Sequence, residues 1–423
     1  MWDYRKTFIA LCWVIGYSLT AAGQAAKTPF SSFALGEYYG NALAHNQGMA
    51  GVAISNPQIY YLNNVNPALL VFNYYTVFEG GVIGERRTVS SGGLSEKNSN
   101  MNLNYLALGF PVMRGKWAAA FGLMPYSNVN YQFQYTEPII GSTNTVQVQE
   151  TGSGGINQFY FSNGIRLNRK FSVGLKASYL FGPITTAYRN TLTTTDQTIP
   201  FTPSVTEENA VKDVNFTAGF SYHVDTLFQK PLRFNVGLIY DFKTKLNTRY
   251  TAILEQANIG GVQGTDTLFV DVPGSATLPQ SIGIGASIGK SDRWMLGIDL
   301  MYLDFSNFRN FQGRTTQTEA GYRLALGGEV TPDPNAIGSF LKRITYRTGV
   351  SLEKYPYLVN GSQVRDFGIN FGLSLPVNRS SVDLGARVGR RGSLADNLIE
   401  EDYFKIYFGV TFNDQWFIKR KFD

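Results

Sequence analysis

Few side chains in this sequence have the type and spacing that chemistry needs. The only histidines are His45 and His223, far apart and with no serine or carboxylate at nucleophile–base spacing, so no acyl-transfer set is written in the chain. The one cysteine, Cys12, lies in an apolar leader, which leaves the remainder without a thiol for a disulfide, a metal or a nucleophile. Glu207-Glu208 and Glu400-Glu401-Asp402 are acidic runs that read as solvated outer loops rather than acid–base pairs. Gly283, Gly285 and Gly289 have the spacing of a phosphate loop, but no helical pattern follows them. The sequence therefore predicts no enzyme, no cofactor and no metal. A different set of residues recurs at one face of alternating segments: Arg166, Lys176, Asp241, Asp299, Arg323, Arg347, Glu353, Asp366, Asp383, Arg387 and Lys405. Mixed signs of this kind can pair and hold a plug by charge-assisted hydrogen bonds. An ion pathway would favour one sign.

The elements that carry these charges are strands. In Tyr403 to Phe412, Phe404, Ile406, Phe408, Val410 and Phe412 share one face, and Tyr403, Lys405, Tyr407, Gly409 and Thr411 share the other. Large apolar groups on one side and small or polar groups on the other are what lipid outside and water inside demand of a strand. Ser172 to Phe181, Phe234 to Phe242, Ile282 to Ile288, Trp294 to Tyr302 and Phe367 to Leu375 repeat the pattern. Short links such as Pro111–Lys116, Asn168–Phe171, Lys290–Arg293 and Pro376–Ser380 alternate with longer polar ones. The longer ones are Glu137–Gly155, Thr191–Lys212, Glu255–Gly274 and Asn307–Glu319, while Thr331–Lys342 breaks the rule as a longer link at a short-turn position. The fold expected is all-β: a transmembrane antiparallel barrel of about fourteen strands with both termini in the periplasm.

Composition agrees. Aromatics make up 14% of the 423 residues, charged residues only 16%, and glycines number 44. No run of 18 apolar residues follows the leader, so spanning helices are not expected. The leader itself has the form of a secretory signal: Arg5 and Lys6, then Phe8 to Leu19, then the small residues Ala21 to Ala25. The net charge of +6 is spread over turns (Arg114 and Lys116, Arg169 and Lys170, Lys290 and Arg293, Lys342 and Arg343). That spread speaks against nucleic acid and for lipid headgroups or an acidic partner at the periplasmic rim. The division expected is 1–25 signal, 26–73 plug, 74–413 barrel and 414–423 a basic aromatic tail. Around fourteen strands enclose a lumen too wide for side chains to fill. The apolar, non-alternating stretch Phe30 to Asn73 is placed to plug it.

Gly48-Met49-Ala50-Gly51-Val52-Ala53, Tyr60-Tyr61-Leu62-Asn63 and Asn66-Pro67-Ala68-Leu69 resemble the hatch signature of FadL-like long-chain fatty acid transporters of the outer membrane. Leu278 to Gly283 also resembles a strand start of that family. Ala50 stands where the family has glycine, and Leu69 follows Ala68 directly where the family usually has another. The resemblance implies an outer-membrane protein of a Gram-negative bacterium, monomeric, surrounded by lipid and passing a hydrophobic small molecule by diffusion. Its hatch residues would be Gly48, Met49, Gly51, Asn66, Pro67 and Ala68. It also implies a third strand kinked to open a lateral gap, and Pro125-Tyr126 falls there, since proline cannot donate to the ladder. A strand boundary without transport is the other reading of Pro125. The family includes PorV-like proteins of type IX secretion, which bind cargo or a secretion partner and do not import. The C-terminal sequence resembles barrels of Bacteroidetes-type bacteria, and its Trp416–Phe422 stretch could serve as a periplasmic handle.

Overall fold

The computed structural model describes residues 26–139, 141, 145–193, 202–258, 261–306, 308–311 and 318–416. The signal segment and most of the basic tail lie outside them. Fourteen strands close into one antiparallel barrel. They are β1 (Thr76–Ser91), β2 (Leu94–Met113), β3 (Trp117–Pro138), β4 (Thr145–Arg166), β5 (Phe171–Thr193) and β6 (Thr202–Val224). Next come β7 (Arg233–Asp241 and Thr244–Asn258) and β8 (Gly261–Leu278 and Gln280–Lys290). β9 (Trp294–Asp304), β10 (Gly321–Val330), β11 (Thr345–Val359), β12 (Ser362–Val377), β13 (Ser380–Ser393) and β14 (Ile399–Asp414) complete the wall. β14 pairs with β1 from Glu400↔Ser90 to Asp414↔Thr76, which closes the cylinder. That pairing leaves neither the first nor the last strand as an open edge in hydrocarbon, where an unpaired amide costs roughly several kcal/mol.

Alternation selects the faces. On β14, Phe404, Ile406, Phe408 and Phe412 are exposed to the lipid side, while Tyr403 and Tyr407 are buried in the lumen. The same holds for Leu296, Ile298 and Leu300 on β9 and for Phe367, Ile369, Phe371 and Leu373 on β12. This apolar outer band places the chain in an outer membrane.

The long polar stretches are corrected by the structure. Glu137–Gly155, Thr191–Lys212 and Glu255–Gly274 are mostly ladder, because β3 to β8 continue well past the apolar band. Beyond the bilayer, no lipid selects apolar outward residues, so the ladder persists while the pattern fades. For the same reason Glu207-Glu208 is strand within β6, and Glu400-Glu401-Asp402 opens β14. The described residues of the Asn307–Glu319 link lie outside the strands of the wall, its other residues lie outside the described ones, and Thr331–Lys342 ends in a short helix at Phe340–Arg343.

Residues 26–73 fill the lumen with short turns of helix, Pro29–Ser32, Ala44–Gln47 and Pro67–Phe72. Asn66 caps the last of these: its Oδ1 accepts from the Ala68 amide at 3.0 Å, with Pro67 at the first position. Its Nδ2 donates to Ile54 O at 2.8 Å and Phe220 O at 3.1 Å, tying turn, plug and wall together. Replacing Asn66 with Ala should lower the thermal stability of the plug by about 1–2 kcal/mol, as for other lost caps, measured as earlier onset of proteolysis within 26–73.

Candidate functional site

The plug sits on glycine. From β4 to β12 every strand presents an inward glycine to it: Gly164, Gly174, Gly219, Gly237, Gly283, Gly297, Gly327, Gly349 and Gly372. A methyl at Gly174 would lie 2.4 Å from Pro67 C, one at Gly327 2.4 Å from Met49 O, and one at Gly372 2.7 Å from Gly48 Cα. At Gly164, Gly174, Gly237, Gly327, Gly349 and Gly372 wall backbone meets plug backbone, with no room for a side chain, while Gly219, Gly283 and Gly297 receive the side chains of Asn66 and Pro67, Ile54 and Val52. The plug's own glycine segment answers this. Gly51 has φ +76° and Ala50 has φ 56°, so the position where the FadL-like pattern carries glycine keeps the glycine-type backbone although it holds alanine.

Charged groups of the wall reach the plug from several strands. Asp299 Oδ2 accepts from the Ala53 and Ile54 amides at 2.7 and 3.0 Å. Lys176 Nζ donates to Asn64 O at 3.0 Å, and Arg323 Nη2 to Ala50 O. The Arg347 guanidinium lies 5.5 Å from the Tyr61 ring and that of Arg166 4.7 Å from the Phe72 ring. Lys405 Nζ is 3.5 Å from Glu37 Oε1. Asp241, Asp366, Asp383 and Arg387 instead bond side chains of the wall. Asp241 accepts from Thr217 and Ser281, Asp366 pairs with Arg387 and Arg391, and Asp383 accepts from Ser374 and Thr411. Glu353 lines a cavity.

The densest contact uses residues the sequence reading missed. Glu37 Oε2 pairs with Arg87 Nη2 at 2.7 Å, and its Oε1 with Arg391 Nη2 at 2.8 Å. Arg87 also holds Glu85 at 2.7 Å and Glu401 at 2.9 Å. With Lys405, Arg387 and Asp366 the cluster has four cations and four carboxylates, so it is neutral only while Glu37 is in place. Thr28 Oγ1 donates to Glu401 Oε2 at 2.5 Å, so the acidic run expected in a loop is part of this buried cluster. Glu37 belongs to the plug, outside the spanning strands. Burial pushes its carboxyl up, but Arg87, Arg391 and Lys405 together hold it well below the ordinary carboxylate range. The alternation of β1 and β14 did place Glu85, Arg87 and Glu401 inward, a usable signal. Glu37 lies in irregular chain and gave none.

The wall itself has a seam. β2 and β3 pair only from Met113↔Trp117 to Leu106↔Leu123, so their upper halves part company. The parting is built by two bulges, Asn104 skipped on β2 between Tyr105 and Leu103, and Tyr126 skipped on β3 between Pro125 and Ser127. Residues 27–39 run along the freed edge as a strap. Glu37 and Tyr38 pair with Asn128 and Ser127, the Tyr39 amide donates to Tyr126 O at 3.2 Å, and the Thr28 amide to Asn130 O at 2.9 Å. Lys27 bridges the two sides: its carbonyl accepts from Asn98 of β2, and its ammonium donates to Gln132 of β3. Behind the seam lies a cavity of about 240 Å³ lined by Tyr38, Tyr126, Ile54 and Leu278 together with Lys176 and Arg387. Above it, Leu35 joins Val129, Ile156, Leu180, Phe305 and Phe308 in an apolar cluster.

His45 is buried in the plug beside Tyr61 and Glu79, and His223 on β6 meets Asn235 and Asp225.

Solved structures with this fold include the Pseudomonas putida toluene transporter TodX, at TM-score 0.58 and 14% identity over 90% of this chain and 100% of that one. The Ralstonia pickettii toluene transporter TbuX follows at 0.54 and 12%, over 89% and 98%. A Pseudomonas aeruginosa FadL homologue gives 0.54 and 13%, again over 89% and 98%. At such identities the likeness concerns the fold, a FadL-like plugged barrel. None of the curated proteins compared with the sequence matches it. The BamG family model matches residues 4–423, nearly the whole sequence, so this hatch-plugged barrel belongs to the BamG family.

Proposed function

We propose that the barrel passes a small hydrophobic molecule, of the long-chain fatty acid or aromatic hydrocarbon class, across the outer membrane by diffusion. The molecule enters among the apolar side chains around Leu35 and Phe308, rests in the cavity behind Tyr38 and Tyr126, and leaves sideways between β2 and β3 when the strap withdraws. The observation that carries this reading is the seam, where the wall parts beside two bulges at the cavity and, among the described residues, the plug's own strap lines the parted edge. The fold shared with proteins titled as toluene transporters supports it. In this reading the chain acts as a monomer, with no catalytic step and no cofactor.

The test is a staple. Tyr38 and Ser127 are register partners in an antiparallel pair, and neighbouring hydrogen bonds make theirs the closer type, about 4.5 Å between Cα atoms. Tyr38→Cys with Ser127→Cys should form a disulfide that abolishes uptake of oleate or toluene into proteoliposomes, and reductant should restore it. Equal uptake before and after reduction removes the lateral route.

A second reading is favoured by how deeply the plug is seated. Close plug contact at the glycines of nine strands, six of them against plug backbone, and a neutral buried ion cluster suit a barrel that stays shut and serves as a PorV-like partner of a secretion or other periplasmic assembly. It predicts no staple-sensitive uptake and a partner retained through mild detergent extraction.

A further inference from the structure

The periplasmic end of the lumen holds a second cavity, about 470 Å³, that the uptake route does not use. Its floor is the plug segment Asn56 to Tyr61, and its rim is the short turns of β8–β9, β10–β11 and β12–β13. Six cations line it: Arg233, Lys290, Arg293, Arg343, Arg347 and Arg379. The acids are two, Asp292 and Glu329. Arg347 is committed to Glu329, Arg293 to Asp333 and Arg233 to Asp225. Lys290, Arg343 and Arg379 are exposed and have no carboxylate partner among the described residues. In the floor, Asn56 is 2% exposed, and its buried Nδ2 has no hydrogen-bond partner among the described residues. A buried unpaired donor is costly unless something accepts from it.

We propose that this vestibule is a docking site for an acidic peptide segment of a periplasmic protein. Lys290, Arg343 and Arg379 come from three different turns yet line one cavity, which headgroups around the outside of the wall do not account for. Guanidiniums bind carboxylates in planar pairs, and three cations without a carboxylate partner among the described residues, at the rim of a pocket of this size, fit a few side-chain carboxylates on an extended strand. Tyr60, Tyr61 and Trp294 supply aromatic surface between them. The chain's remaining C-terminal sequence carries Lys419, Arg420 and Lys421, the wrong sign for this site. The proposal stands whether or not the barrel transports. It also gives the peptide a lever, because Gln58 Nε2 donates to Glu329 Oε1 at 3.0 Å and an entering carboxylate competes with Glu329 for the plug and for Arg347.

The experiment is fluorescence anisotropy of labelled hexaglutamate with the full chain in nanodiscs. Lys290→Glu/Arg343→Glu/Arg379→Glu should weaken binding by about tenfold and flatten its salt dependence. Arg114→Glu/Arg169→Glu/Lys170→Glu makes the same charge change on exposed turns outside the vestibule and should change affinity by no more than about twofold. Equal losses in the two variants, or no binding by the wild type at low salt, overturn the proposal. So does tripolyphosphate binding where hexaglutamate does not, which assigns the site to a phosphate ligand. A photo-crosslinking hexaglutamate needs no substitution: adducts at Tyr60 or Trp294 support the site, and adducts confined to Arg114–Lys116 or Leu167–Lys170 refute it.

Discussion

Glu37→Gln is expected to unseat the N-terminal strap while the barrel stays folded. The substitution keeps the shape of the side chain but removes the charge that neutralises Arg87, Arg391 and Lys405. Breaking a buried ion pair by deleting one partner costs about 3–5 kcal/mol, because the other charge is left in a low dielectric. In the ladder Glu37 pairs only with the edge of β3, and the β14–β1 ladder that closes the cylinder does not include it, so that cost falls on strap docking and not on barrel closure. The population with an open seam should rise by roughly a hundredfold or more. Protease cleavage near residues 27–39 and dye leakage from loaded liposomes would report it. Acid should act in the same direction. The Glu37 carboxyl is held below its unfolded value, so its contribution is present above the ordinary carboxylate range and is lost as pH falls through the lowered folded value. Wild-type leakage should therefore begin below the normal carboxylate range, and Glu37→Gln leakage should lose that pH dependence. Unchanged leakage in Glu37→Gln at neutral pH would mean that the glycine seat alone holds the strap.

Where the sequence was informative, one physical rule was at work. A strand with lipid on one side and a wet lumen on the other must alternate, so Phe404 and Lys405 could be assigned to opposite faces from the sequence alone. The rule stops where its cause stops. Past the bilayer, β3 to β8 run on with polar outer faces and look like loops, and Glu207-Glu208 was misread there. Chain breaks inside a strand, at Phe242–Lys243 in β7 and Pro279 in β8, leave the strand count intact, because each half keeps its register with its neighbours. Pro125 could be read as a disruption because a missing amide is visible in sequence. That Asn104 answers it on the facing strand could not, since a bulge depends on a pairing register. The plug is the least legible part. Glu37, Thr28 and Lys27 act through contacts with strands fifty or more residues away, some at the far end of the chain, and no periodicity marks them.

The glycine seat offers the sharpest separation between plug and barrel. A methyl at Gly237 would stand 1.9 Å from Ile54 O, 2.7 Å from Ile54 C and 3.0 Å from Asn66 Nδ2. The atoms nearest it are backbone, on a segment that Asp299 holds by two amides, so it cannot slip aside as a flexible side chain would. Gly237→Val adds two more carbons at the same place. Overpacking of this kind costs about 1–3 kcal/mol where neighbours can shift, and more where they cannot. The strain is relieved only by lifting Ile54 and Asn66 off the wall, which also uncaps Pro67–Phe72. β7 itself has no need of glycine here, because the residue lies in regular ladder opposite Gly285 and Ser221. The expected result is a barrel that still resists heat and detergent on a gel, with a plug cleaved by protease at 54–68 and a measurable ion conductance. Gly84→Ala is the matched control, since its methyl would meet nothing nearer than Met101 Cε at 3.8 Å, and it should behave as wild type. If Gly237→Val conducts no ions and shields its plug as the wild type does, the plug accommodates the clash by moving as a body. The tight seat would then be a consequence of docking and not its cause.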